Sequence, residues 1–275
     1  NNYLRYISNF LTPAKRVHEM VILSLILENK KIDIEDIENE LKDRYNLIEQ
    51  RENIENGLKH LAKEIFISLS TAKEFYPLIE KYGDYYICCK DFEKSYRENS
   101  YFKGLVDDLI KYNLAYVEKN YKQETKEGIL KYKGYTKQEA FWYLNLDFNN
   151  GYQVSGYTVF EKERKVILFI TLDDTGISAD YDNIFYDNRR VTWFSKAQRY
   201  LEKNGKITIE GKIAENYYTL EVFIKKKLGE NFYYLGQVER VVNPKEIINS
   251  YGKSVVEYEL VLRNEIEEKL FKYLI

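Results

Sequence analysis

The densest chemistry in this 275-residue chain lies between Tyr181 and Arg199, reading YDNIFYDNRRVTWFSKAQR. Tyr181, Phe185, Tyr186, Trp193 and Phe194, with Tyr157 upstream, offer planar faces on which a base can stack. Asp182 and Asp187, with Asp173, Asp174 and Asp180 just before, offer hydrogen-bond acceptors. Arg189, Arg190, Lys196 and Arg199, continued by Lys203 and Lys206, offer cations for phosphates. Strands built only to fill a core rarely carry all three kinds, so nucleic acid is the ligand class this segment suggests. Each member also has a plainer reading. The aromatics suit a β-rich core, the aspartates suit turns and caps, Arg189-Arg190 suits a guarded strand edge, and Lys225-Lys226-Lys227 suits a solvated turn better than a second DNA contact.

Candidates for catalysis are few. Asp147, Glu163 and Lys165 have the residue types of a metal-dependent nuclease, in which two acids hold Mg²⁺ and a lysine orients water. Glu161 to Lys165 falls between two apolar β-like runs, however, and reads better as a charged hairpin turn. His18 and His60 are the only histidines, and both are expected on helices as surface or interface residues rather than as general bases. Cys88 and Cys89 are adjacent, a spacing that suits neither a disulfide framework nor a zinc knuckle, and a reducing compartment is expected. No glycine-rich phosphate loop of the Walker or dinucleotide type occurs. The fragment is therefore expected to lack catalysis, metal and cofactor of its own.

The elements that must position these residues fall into two groups. At 275 residues and 44% hydrophobic, the chain can hold two cores. From Thr12 to about Phe66 apolar residues recur at helical spacing and predict three helices, with Thr12-Pro13 and Asp33 as starts and Val17, Met20, Leu23, Leu41, Leu58 and Leu61 inward. A bundle fits them better than a winged helix. Next come a β-like run at Tyr85–Cys89, a helix near Tyr101–Tyr112, a β-like run at Leu114–Glu118, and a lysine-rich linker at Asn120–Tyr135. Domains are thus expected at 1–133, helical, and 134–275, β-rich, giving an α+β chain. Thr136-Lys-Gln-Glu139 heads a short helix as a capping box. β runs then follow at Gly156–Phe160, Val166–Leu172, Ile207–Gly211, Tyr218–Lys225, Phe232–Val238 and Val255–Leu262. Helices are expected from Ser195 through Leu201 and from Asn264 to about Tyr273.

Charge is nearly balanced, 42 Lys+Arg against 44 Asp+Glu, so nucleic-acid binding must rest on local patches. The apolar runs are too short to span a bilayer, and a cytoplasmic protein with no membrane partner is expected. A start at Asn1 without methionine suggests a fragment of a longer parent.

The stretch Gly151 to Arg199, together with the capped Tyr135-Thr136 helix, the Gly156-Tyr157 pair, Ser178 before Tyr181, and Trp193-Phe194-Ser195 ahead of basic residues, resembles a known family over about residues 135 to 240. That family is the C-terminal domain of unknown function of bacterial proteins joining a phospholipase-D-type nuclease to a superfamily II helicase. Among them are the SauUSI-like type IV restriction enzymes, whose tail is described as SRA-like. The resemblance implies a PUA-like curved sheet or barrel with flanking helices, and recognition of 5-methylcytosine or 5-hydroxymethylcytosine in double-stranded DNA by base flipping. It also implies a restriction, phage-defence setting with upstream helicase and endonuclease domains that use ATP and Mg²⁺. On that reading Tyr157, Tyr181, Asp182, Trp193 and Phe194 take the base, and Arg189, Arg190, Ser195, Lys196 and Arg199 grip the backbone. Trp193→Ala and Tyr157→Ala are then expected to erase preference for a modified base while sparing the fold. The rival reading is a module for oligomerisation, such as a homodimer, or for motor coupling, without base recognition.

Overall fold

Pro13 lacks the N–H that a first turn leaves unpaired anyway, and it sits in a 3-10 turn at Thr12–Ala14. That turn continues helix α1 (Asn2–Tyr6) and a π turn at Ile7–Leu11. In this computed structural model, which describes residues 2–65, 74–147, 156–173 and 183–275, the first long helix starts later than the sequence suggests, at His18. It is α2 (His18–Glu28), followed by β1 (Lys31–Ile32), α3 (Ile34–Tyr45) and α4 (Arg51–Leu61). Asp33 caps α3, its Oδ1 accepting the Asp36 N–H at 2.9 Å while Asp36 returns a bond to the Asp33 N–H. The six predicted inward residues from Val17 to Leu61 are all buried.

Strands β2 (Ile79–Tyr82) and β3 (Tyr85–Cys88) form a hairpin, and β1 pairs with β3 in the order β1-β3-β2. Helix, strand, two helices and a hairpin make winged-helix connectivity, so the plain bundle gives way to the other option. Next are α5 (Lys90–Glu98) and α6 (Ser100–Asn120). The β-like run at Leu114–Glu118 is helical, because Phe102, Val106, Ile110, Asn113 and Val117 form one buried face along α6. The expected linker contains α7 (Lys122–Glu127) and β4 (Gly134–Tyr135), ahead of α8 (Lys137–Tyr143). The chain divides into two compact units, Asn1–Ile129 with Gln138–Tyr152, and Leu130–Lys137 with Gln153–Ile275.

The histidines depart furthest from expectation, since both are buried in the first unit. Arg16, on the approach to α2, donates to Glu19 (2.6 Å), Asn56 (2.7 Å) and Asn145 (2.8 Å), and His60 Nδ1 lies 2.9 Å from Glu19. Burial opposes ionisation of Glu19, but Arg16 and His60 override it and hold its carboxyl well below the usual range. Burial, helped by Arg16, pushes the His18 imidazole down to about 4. An unfolded histidine takes its proton near pH 6.5, whereas His18 in the fold stays neutral until about pH 4. Stability from this site is therefore complete above that unfolded value and is lost as pH falls towards the folded one, with Glu19 adding to the loss in stronger acid. Urea unfolding is expected to show about 2 kcal/mol less stability of the first unit at pH 5 than at pH 7. Equal midpoints at the two pH values would count against it.

The second unit holds β5 (Tyr157–Phe160), β6 (Lys165–Asp173), β7 (Arg190–Phe194), β8 (Glu202–Lys203), β9 (Lys206–Ile207), α9 (Ile209–Ala214), β10 (Thr219–Lys227), β11 (Phe232–Ile248), β12 (Ser254–Leu262) and α10 (Glu268–Leu274). The main sheet runs β5-β6-β10-β11-β12-β7, with β4 also on β11. Only β6–β10 is a parallel pair among the described strands. β11 is long because bulges bend it. It pairs with β10 through its first part and with β12 through its second, with register shifts after Val238 and Val242. Gly236 supplies the left-handed backbone (φ 91°) that the turn of this strand needs. Alternate residues Val166, Leu168 and Ile170 of β6 join Leu220, Val222 and Ile224 of β10 in one core, while Phe169 meets Phe223 and Phe232 at 5.2 and 5.1 Å away from it.

Four expectations change here. Ser195 starts no helix, because the N–H groups of Ser195, Gln198 and Arg199 bond to carbonyls of Val256 and Ser254 on β12. The run Ile207–Gly211 turns helical after Ile207, with Thr208 capping α9. Lys225–Lys227 lie in β10 rather than in a turn. Asn264 accepts from Lys131 and caps nothing, so α10 begins at Glu268.

Candidate nucleic-acid site

Gly156 opens the site. Its positive φ of 81° turns the chain into β5, and its carbonyl accepts the Phe169 N–H at 2.7 Å. Tyr157 follows, buried, with its ring edge against Trp193 at 5.3 Å and its hydroxyl donating to the buried Glu210. Burial and that carboxylate raise the Tyr157 hydroxyl far above its ordinary range, so it stays protonated. Lys196 donates to the Tyr157 carbonyl at 3.0 Å and holds its ammonium 4.6 Å from the Tyr157 ring centre. Burial first, then Arg199, lowers the Lys196 pKa.

Two hollows meet at Tyr157 and Lys196. One, of about 390 Å³, is floored by Phe169, Ile170, Trp193 and Phe232, with Lys137, Lys196 and Lys225 around it and Thr171 and Asn183 as neutral polar groups. No Asp or Glu stands among its described lining residues. The other, of about 420 Å³, is lined by Lys196, Arg199, Tyr200, Lys203, Thr208 and Glu210, among others. There Arg199 pairs with Glu210 at 3.4 Å.

The expected site residues scatter around these hollows. Tyr157, Trp193, Phe194, Ser195 and Lys196 all line the first, and Arg199 lines the second. Trp193 is also a core residue, stacked 5.1 Å from Tyr258. Ser195 is buried, and its Oγ accepts the Val256 N–H at 2.9 Å. Arg189 and Arg190 line neither hollow. Arg189 donates to the Leu262 carbonyl and pairs with Glu239, and Arg190 pairs with Asp187 at 2.7 Å and Glu259 at 3.4 Å. Tyr181 and Asp182, with Asp174, Asp180 and Ser178, lie outside the described residues.

Of the metal-nuclease candidates, Asp147 belongs to the first unit, where it pairs with Lys59 at 3.0 Å, and Glu163 lies in the β5–β6 hairpin turn of the second. Among the described residues no group of three or more His, Cys, Asp or Glu could hold a metal ion, and no helix is long and apolar enough to cross a membrane.

Residues 129–274, the whole span that builds the two hollows, match the model of a family described as Domain of unknown function (DUF3427). The chain belongs to this family. That bears out the coarse part of the resemblance read from residues 135 to 240. Residues 1–123 match a second model, Domain of unknown function (DUF8090). No curated protein matches the chain. Among solved structures, the SUVH5 SRA domain with hemi-methylated CG DNA is 14% identical, covering 51% of this chain and 93% of that one at a TM-score of 0.36. KRYPTONITE with mCHH DNA is 15% identical over 51% of this chain and 34% of that one, at 0.35. SUVH6 of Arabidopsis thaliana is 15% identical over 58% and 33%, at 0.29.

Within the DUF3427 unit, sequence reading missed Lys137, Phe169, Asn183 and Phe232, and set Lys225 aside as part of a solvated turn. Only Phe169 carried a signal. In the alternation of β6 it falls on the opposite side from Val166, Leu168 and Ile170.

Proposed function

We propose that the DUF3427 unit is the non-catalytic DNA-recognition module of a modification-dependent, type IV restriction enzyme, and that it receives a flipped 5-methylcytosine or 5-hydroxymethylcytosine in the smaller hollow. The hollow itself carries the reading. Its volume, about 390 Å³, falls in the range of small-molecule sites, roughly 300–1,000 Å³. Its aromatic floor can pack against a pyrimidine, and its lysines suit the phosphates beside the vacated position. The Oδ1 of Asn183 is buried without a partner, an acceptor that suits the exocyclic amine of cytosine after a small side-chain rotation. Helicase and nuclease domains upstream, using ATP and Mg²⁺ in the cytoplasm, would supply the cutting.

For the first unit we favour motor coupling or oligomerisation over DNA reading. In a DNA-reading winged helix α4 would enter the major groove, yet here it exposes Glu52 and Glu55 and ties Arg51 to Glu55 and Glu38 at 3.1 and 3.5 Å.

Fluorescence anisotropy with one duplex sequence carrying C, 5-methyl-C or 5-hydroxymethyl-C tests the recognition reading. Burial of one methyl supplies about 0.8 kcal/mol, so roughly fourfold tighter binding of the methylated duplex is expected. Equal affinities for all three would defeat it.

A further inference from the structure

Glu210 lines the larger hollow and touches Tyr157, which lines both. Its side chain is 4% exposed. Helix α9 holds it there: the Thr208 N–H bonds to the Leu201 carbonyl at 3.0 Å, and the Thr208 hydroxyl accepts the Gly211 N–H at 3.1 Å. A Cβ at Gly211 would strike that same Leu201 carbonyl, so glycine lets α9 sit against the chain just past Arg199. One carboxylate oxygen, Oε1, then meets two partners. It accepts the Tyr157 hydroxyl, and it lies 3.4 Å from Arg199 Nε. The Glu210 carbonyl accepts the hydroxyl of Tyr258, the ring on which Trp193 stacks, at 3.1 Å.

Resting on the base-flipping reading, we propose that Glu210 is a positioning residue with two arms: through the Tyr157 hydroxyl it fixes the wall against which the flipped base packs, and through Arg199 it aims a guanidinium at a DNA phosphate at the mouth of the larger hollow. The arms draw on different properties of the carboxylate. Tyr157 needs only an acceptor oxygen, since Trp193 at its edge and Lys196 at its face already place the ring. A gap of about 0.5–1 Å in such a wall forfeits a quarter to a half of a contact's attraction, so discrimination of one methyl depends on where the ring is held. Arg199 needs the charge. Its side chain is 48% exposed, and a guanidinium tethered at Nε turns its outer N–H groups outward as a fork that matches phosphate. Lys203, on the lining of the same hollow, adds a second cation.

The experiment measures anisotropy on the full chain with C and 5-methyl-C duplexes of one sequence, each also made with a single neutral methylphosphonate placed in turn at the linkages around the modified position. The wild type should prefer 5-methyl-C about fourfold and bind about tenfold more weakly when one particular linkage is neutral. Arg199→Ala should be indifferent to that linkage. Glu210→Gln keeps the acceptor and removes the charge, so it should cut the linkage effect to about threefold and spare the base preference. Tyr157→Phe should do the opposite. Glu210→Ala should lose both effects, and Glu210→Gln combined with Tyr157→Phe should reproduce that loss with less disturbance of the fold, checked by circular dichroism. A Glu210 that served stability alone would weaken every duplex alike and leave both ratios unchanged. A wild-type linkage effect in Glu210→Gln, or no linkage whose effect depends on Arg199, would overturn the proposal, and a 5-methyl-C preference would still uphold the recognition reading. No such preference in the wild type would overturn that reading and the Tyr157 arm, while an Arg199-dependent linkage effect reduced in Glu210→Gln would uphold the phosphate arm.

Discussion

Trp193→Ala is expected to lower the stability of the second unit by about 3–5 kcal/mol, the range for emptying a large aromatic site in a close-packed interior. The indole is 3% exposed, lies flat on Tyr258 at 5.1 Å, and meets the edge of Tyr157 at 5.3 Å. Removing it leaves a void bounded by two further rings and by β12, which is paired along its length with β7 and β11. Sequence alone pointed to the opposite result, a clean loss of base preference with the fold intact. The alanine variant should instead lose binding and fold together, with an earlier urea midpoint by circular dichroism. Trp193→Phe keeps an aromatic on Tyr258 and should recover most of the stability, which makes it the better probe of the hollow. A wild-type midpoint for Trp193→Ala with binding abolished would show that the ring serves the ligand alone.

Arg16→Met should cost the first unit about 3–5 kcal/mol, as breaking a buried ion pair does when one charge is left behind. Arg16 and Glu19 are 2% and 0% exposed, so the carboxylate left behind has no route to water and keeps only the His60 ring, 2.9 Å away, from the pairing described above. It must take a proton, draw one onto His60, or open the packing between α2 and α4. The double variant Arg16→Met with Glu19→Leu should recover much of the loss, because two apolar groups of similar volume remove the need for pairing. Urea titrations of the wild type, Arg16→Met, Glu19→Leu and the double variant together give the coupling. If the single and double variants proved equally unstable, packing around Arg16 rather than charge would be the cause.

These cases show what could be read from the sequence. Local signals were sound: the α3 cap at Asp33, the inward residues of the first three helices, the charged turn at Glu161–Lys165 and most strands of the second unit. Errors arose where a distant partner decides. Lys196-Ala-Gln-Arg reads as helix on propensity, but β12 claims its neighbouring backbone N–H groups. His18 and His60 look like surface residues until Gln50 and Glu19 are seen beside their ring nitrogens. The hollow was half legible. Tyr157 and Trp193 stood out by type, whereas Lys137, Lys225 and Phe232 are ordinary residues that only the sheet gathers around Phe169.

The parallel pairing of β6 with β10 has a kinetic consequence. Strands β7 to β9 and α9 lie between them in the chain, so Leu168 cannot settle beside Val222 until that whole stretch has been made and drawn in. Loop closure of that kind slows folding. The β5–β6 hairpin emerges first, carrying an apolar edge that waits for its neighbour, and a nascent chain at that stage is exposed to off-pathway association. Ligand binding and synthesis of the C-terminal half are thereby tied together, since Phe169 meets Phe223 and Phe232 only after β10 and the start of β11 arrive.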